Sequence, residues 1–491
     1  MKKGNSSYNQ ILKSTTIFGG SQVLVILIGL IRTKIIAVLL GPMGVGIIGI
    51  YQSVIEMVRS TCSLGIDTAG VRDIAEADSN GDKDFLYKTI ARFNKWFRGS
   101  ALLALLICIA FCYPISHWAF GSDDYAIYIA CLSVAAALHI LATGKSTILQ
   151  GLRKIPEMAK SAVWGSLIGL IVTIPVYYIW RLDGIVPALI INAPIWFACV
   201  MFYYRKQAIK KADISNKEAF EAGISSLRLG VYIVLAGIVS TVSMFLVRAY
   251  ISRNIDLDAA GLFQSAWVIT NVYLGLILKS MGSDYFPRLS AISGEKEKVK
   301  ELVNEQSYIV LVIALPIIVG MLLFADFALS ILYSYDFTGA GVILRWQVLG
   351  TFLKVLGWPI SFILLARNKG FLFLITEVIF YVAYLLSAYL LYPVYGLDAA
   401  GIGYLIAYAI YFPVIVWAGY SISGFKWSSD ILKMTLVSLV FICAAFYIAH
   451  FHTGHTLTLS IAILCLSLLY AYIKLKKVFS LEDLKNWFRK K

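Results

Sequence analysis

Apolar stretches long enough to cross a lipid bilayer recur along the whole of this chain. A hydrocarbon core about 30 Å thick needs about 20 residues of helix, and it offers no water to an unpaired backbone group. Of the 491 residues, 59% are hydrophobic and only 14% charged, against about 25% charged in a soluble domain. The chain therefore reads as an all-α, polytopic membrane protein. Its apolar windows predict helices at about 15–40, 44–66, 97–120, 126–148, 159–181 and 184–204. A second set is expected at about 228–253, 261–281, 306–332, 341–367, 370–393 and 398–420, with two more at about 429–450 and 456–473. That makes about 14 crossings. Met1-Lys2-Lys3 is basic, but no cleavage site follows the first apolar stretch, so a signal peptide is not expected.

The same pattern occurs twice, about 216 residues apart. Leu30-Ile31-Arg32 returns as Leu246-Val247-Arg248, Gly46 with Gln52-Ser53 as Gly261 with Gln264-Ser265, and Arg72 as Arg288. Trp180-Arg181-Leu182-Asp183-Gly184 returns as Tyr395-Gly396-Leu397-Asp398-Ala399. A constant offset over so long a stretch marks an internal repeat, and duplicated helical halves are typical of secondary transporters. Six helices per copy is an even number, so the two copies enter the membrane with the same polarity. The expected architecture is two parallel six-helix lobes around a central cavity, at 1–210 and 211–425, followed by two extra helices and a basic tail at 426–491.

The net charge is +15, but its distribution argues against a nucleic-acid partner. The basic residues collect in alternate loops, such as Lys83 to Arg98, Arg205 to Lys217, Arg288 to Lys300, and the tail. That is the positive-inside pattern, and it places both termini in the cytoplasm. Two basic segments look like helices on the membrane surface: Gly294 to Val303, and the tail from Ser480 to Phe488. All seven cysteines fall in apolar helices, so neither a disulfide framework nor a metal site is expected.

Charged side chains inside the spans are the candidate functional residues. Arg32 lies nine residues before Gly41, about 13 Å deep at 1.5 Å per residue. A cation at that depth normally faces a cavity, and Arg248 repeats it. Arg59 and Lys279 sit nearer the expected cytoplasmic ends, and Glu56 is close enough to Arg59 to pair. Lys34, Lys354 and Glu377 complete the set, as further cavity or ion-coupling positions. Mostly basic, this set suits an anionic substrate. No catalytic residues are expected. Gly144-Lys145-Ser146 lacks the upstream glycine of a P-loop. His450, His452 and His455 have no carboxylate nearby for a metal, and the loop at Asp123-Asp124 is too short to bind a sugar donor.

The stretch from Gly29 through Arg32 to Leu40-Gly41-Pro42-Met43-Gly44-Val45-Gly46 resembles the first helix and turn of polysaccharide flippases in the multidrug/oligosaccharidyl-lipid/polysaccharide exporter superfamily. It is most similar to Wzx-type O-antigen translocases. Lipid II flippases are also similar, but Thr33 stands where they tend to carry an acid. The resemblance implies an undecaprenyl-diphosphate-linked oligosaccharide as substrate, moved from the cytoplasmic to the periplasmic leaflet of the bacterial inner membrane by alternating access. It implies no cofactor beyond a coupling proton or sodium. The partners it implies are the lipid-linked glycan, membrane lipids and polysaccharide polymerase or assembly proteins. The alternatives are a lipid II flippase, a drug/cation antiporter, which should have an acidic cavity, and a membrane glycosyltransferase or polymerase, which needs larger external loops.

Overall fold

The computed structural model describes residues 2–210, 212, 214, 215, 218, 231–450 and 456–478. Within these, it leaves the side chains of 2–20, 272–274, 276, 277, 279, 280, 283, 284, 456, 477 and 478 undescribed. All secondary structure among the described residues is helical. Among the described residues, ten stretches are long and apolar enough to cross a membrane. Three of them, of 43, 51 and 54 residues, are long enough to cross twice, because about 20 residues suffice for one crossing.

Packing divides the chain into two compact units. One comprises Met1–Gly261 with Leu332–Ser334, the other Leu262–Ile331 with Tyr335–Lys491. The first unit holds α1 (Lys2–Ser63), α2 (Ile66–Ser79), α3 (Lys83–Ala110), α4 (Cys112–Phe120), α5 (Ala126–Gly151), α6 (Ile155–Trp180), α7 (Ile185–Arg205) and α8 (Val231–Asn254). It also holds the first turns of α9 (Leu257–Trp267). Here α5 packs on α7 and α3, and α1 lies against α6, α5 and α8.

A π turn at Val268–Tyr273 leads into the second unit, which contains α10 (Leu274–Ala291), α11 (Lys296–Leu323), α12 (Ala325–Leu332) and α13 (Gly341–Ala366). It continues with α14 (Gly370–Tyr395), α15 (Ala399–Ser423), α16 (Ser429–His450) and α17 (Thr456–Val478). The α13–α15 and α14–α15 contacts are its densest, and α16 and α17 pack on each other and on α11. The division by packing falls at Gly261, where α8 has joined the first unit through α1 and α4.

The break in α1 comes from two adjacent residues. Gly41 takes φ 64° and ψ −170°, a region essentially reserved for glycine. Pro42 follows and cannot donate the helical hydrogen bond. The 43 apolar residues from Ser21 to Ser63 are thereby split near their middle.

The repeat is written in the backbone as well as in the sequence. Arg181 has φ 49° and ψ −125°, and Gly396, 215 positions on, has φ 52° and ψ −130°. Arg153 and Asn368, also 215 apart, have φ 56° and 55°. Phe111, between α3 and α4, has φ −107° and ψ 13°, and Phe324, between α11 and α12, has φ −115° and ψ 28°. Each copy thus divides a span expected to be continuous, 97–120 in the first and 306–332 in the second.

A second expectation is corrected. Gly294 to Val303 does not form a separate surface helix. From Lys296 it is the start of the 28-residue α11, with Val299, Leu302 and Val303 buried. The apolar periodicity read there as a surface-facing stripe is the core face of a long helix. The tail from Ser480 to Phe488, and His452 and His455, lie outside the described residues. Before the undescribed stretch at 219–230, Ser215 and Glu218 form a reciprocal capping box. The Ser215 backbone N–H, with its hydroxyl, holds the Glu218 carboxyl below its ordinary range.

Candidate functional site

In the first unit, α1 supplies Arg32 before its break and Ser53, Glu56 and Arg59 after it, while α8 supplies Arg248. Arg248 is only 8% exposed. Its Nη1 donates to Ser53 Oγ at 2.8 Å and to the Met244 carbonyl at 3.4 Å. Ser53 Oγ donates its own proton to the Gly49 carbonyl at 2.7 Å. The hydroxyl is therefore oriented by its helix, with a lone pair presented to the guanidinium. Arg32 is half-buried; its Nε is buried and without a hydrogen-bond partner. It lies within electrostatic reach of Tyr177 on α6, a fully buried residue whose hydroxyl has no hydrogen-bond partner among the described residues.

Arg59 is committed to Glu56. Its Nε and Nη2 meet the two carboxylate oxygens at 2.9 and 2.5 Å. His139 on α5 lies within electrostatic reach of this pair, and its ring lies 5.2 Å from that of Trp196 on α7. Lys34 is half-buried on α1.

The second unit gathers another group. Lys354 on α13 donates to Asn271 Oδ1 at 3.0 Å, and the Tyr404 hydroxyl on α15 donates to the same oxygen at 3.2 Å. Lys354 and Glu377 line one cavity of about 290 Å3 with Trp358, Tyr381, Tyr408 and Tyr411. The Glu377 carboxylate has no hydrogen-bond or ion-pair partner among the described residues. Lys279 falls in α10, but its side chain is not among those described.

The structure therefore joins Arg248 to the far arm of α1, Glu56 to Arg59, and Lys354 to the cavity of Glu377. Sequence reading missed Ser53 and Asn271 as partners, because nothing local marks an uncharged side chain as the acceptor for a distant cation. It also missed the tyrosines, for which a signal was available. Tyr404, Tyr408 and Tyr411 are spaced by four and three residues, which sets them on one helix face.

Comparison with known proteins follows the same lines. Residues 35–341 match the family of polysaccharide biosynthesis proteins. The chain is similar to a lipid III flippase of Escherichia coli (strain K12), 24% identical over 392 residues, covering 78% of this chain and 92% of that protein. A Shigella flexneri protein provisionally named an O-antigen transporter is 26% identical over 372 residues, covering 74% and 87%. Among solved structures, the lipid II flippase MurJ in an inward closed conformation superposes with a TM-score of 0.73 at 17% identity, covering 94% of this chain and 99% of that one. An inward-facing multidrug resistance transporter of the MATE family superposes with a TM-score of 0.69 at 19% identity, covering 83% and 96%. These relatives are flippases and transporters, not catalytic enzymes. With its multiple membrane-length helices and this match over more than half its length, the chain belongs to the polysaccharide biosynthesis protein family and shares the fold of the flippase and MATE-family structures above.

Proposed function

We propose that the protein is a flippase that carries an undecaprenyl-diphosphate-linked oligosaccharide from the cytoplasmic to the periplasmic leaflet of a bacterial inner membrane, with both termini cytoplasmic. The observation that carries this reading is Arg248. It is a guanidinium 8% exposed within a membrane-length helix, at the repeat position of Arg32. Burying such a charge in a membrane is costly, and it marks substrate or ion pathways. A diphosphate is the anion that the forked guanidinium suits best. Arg32, whose Nε is unpartnered, is the second phosphate ligand. Arg59, already paired, and Lys279 assist them.

The oligosaccharide is too polar for lipid and travels through the protein, while the polyprenyl tail stays in the bilayer. The names of the relatives, lipid III flippase above all, support this substrate class. The basic character of the buried charges disfavours a drug/cation antiporter, which needs an acidic cavity. A coupling proton or sodium would be carried by Glu56 or Glu377, and rescue measured under collapsed proton or sodium gradients tests this.

The direct test is deletion of the gene. Lipid-linked repeat units should accumulate on the cytoplasmic leaflet, and surface polysaccharide should be lost. Restoring the wild-type protein should rescue both, and Arg32→Ala or Arg248→Ala should not. Full rescue by both variants would sink the assignment of the arginines.

A further inference from the structure

We propose that the cavity between α13, α14 and α15 is a saccharide subsite, which holds one or two sugar rings of the glycan; this rests on the flippase reading above. Its ionisable lining is one lysine and one glutamate, Lys354 and Glu377. A single ammonium facing an acid is a poor seat for a diphosphate, and the ammonium disfavours a cationic drug. A neutral molecule with an apolar face and a polar rim remains, and a pyranose has both.

The walls match that shape. Tyr408 and Tyr411 are buried, as is Tyr381, and Trp358 is half-buried. Aromatic rings offer flat apolar faces to C–H groups, and tyrosine adds a polar tip. The rings are held by one another. Phe380 lies 4.4 Å from Tyr408, Tyr408 lies 5.9 Å from Tyr411, and Trp358 lies 5.0 Å from Phe362 and 5.9 Å from Tyr285. Tyr285 in turn donates its hydroxyl to the Pro359 carbonyl at 2.9 Å, next to Trp358. The plane of each wall is therefore set before any ligand arrives.

The rim is polar and has capacity to spare. Glu377 accepts no hydrogen bond from any described residue, and Asn271, the partner of Lys354, keeps a buried Nδ2 without an acceptor. At about 290 Å3 the cavity sits at the low end of small-molecule pockets, which start near about 300 Å3. That suits a mono- or disaccharide better than a whole repeat unit. Its lining runs from Lys354 and Tyr408, near the middle of their helices, to Leu365 and Phe373, beside the α13–α14 turn with its Arg367 and Lys369. By the proposed orientation that turn is cytoplasmic, the side from which the glycan is taken.

Lys354 and Tyr411 correspond at an offset of 215 to His139 and Trp196. In the first copy those two rings lie 5.2 Å apart, in contact.

The test uses the full-length protein in detergent, titrated with repeat-unit oligosaccharides released by mild acid from the lipid-linked precursors of its source organism. Calorimetry should show saturable binding by the wild type. Trp358→Leu and Glu377→Gln should each weaken it at least tenfold, with the melting temperature unchanged in Glu377→Gln. Tyr411→Phe, which keeps the ring, should weaken it less. Where Trp358→Leu does not fold, Glu377→Gln alone decides. No binding by the wild type, or binding indifferent to these changes, overturns the subsite. The flippase reading fails separately, if deletion of the gene leaves lipid-linked glycan unaccumulated while the free glycan still binds.

Discussion

Arg248 and Ser53 show what a single residue position can and cannot reveal. An arginine inside an apolar run stands out in the sequence, because its burial is costly without a function. Its acceptor does not stand out, since a serine is at home in any membrane helix. Ser53→Ala should leave the guanidinium short of one acceptor and cost about 1–3 kcal/mol, read as a lower melting temperature in detergent. Arg248→Lys keeps the charge and loses the fork. We expect at least a tenfold loss of lipid-linked glycan translocation, measured as polysaccharide restored to a deletion strain at matched levels of folded protein. Glu56 and Arg59 are different. The glutamate side chain is 47% exposed, so solvent screens the pair. Glu56→Gln should change stability by less than about 1 kcal/mol, which thermal unfolding would show.

At the scale of elements, close backbone approach governs what the helices can do. A methyl group on Gly46 would overlap the Leu257 carbonyl and lie 2.8 Å from the Gly261 nitrogen, and one on Gly261 would overlap the Pro42 carbonyl. These two glycines are repeat partners, so the same small residue serves both sides of one crossing between α1 and the start of α9. Gly261→Ala should destabilise by at least about 1–3 kcal/mol, while Gly29→Ala, with nothing within 4 Å, should be tolerated. Parallel melting curves of the two variants compare them. Gly41→Ala forces a side chain into a glycine-only conformation at a cost of about 1–3 kcal/mol, and it should lower both folded yield and melting temperature. Leu40-Gly41-Pro42 was legible as the outer end of the first span. The breaks at Phe111 and Phe324 were not, because neither residue is itself a helix breaker, although Pro114 in the first turn of α4 cannot donate the helical hydrogen bond.

For the whole molecule, the charge pattern predicts orientation. In a protein whose seven cysteines are replaced by alanine, Asp123→Cys should react with an impermeant thiol reagent in intact spheroplasts. Asn80→Cys should react only after the membrane is opened. Both positions are exposed, so the reverse pattern would invert the topology. The class of molecule was settled by sequence alone. Long apolar runs permit only internally bonded helices in lipid, and a constant offset between motifs needs no structure to be seen. Counting residues along its helix singles out Arg32, and the repeat singles out Arg248. Contact is another matter. Ser53 reaches Arg248 across 195 positions, and the tyrosines of α15 meet Lys354 and Glu377 from separate helices. A helix periodicity says which residues share a face, but not which neighbour that face will meet. Only the packed structure chooses the neighbour, so the partners of the buried charges and the cavity of the second unit were decided there.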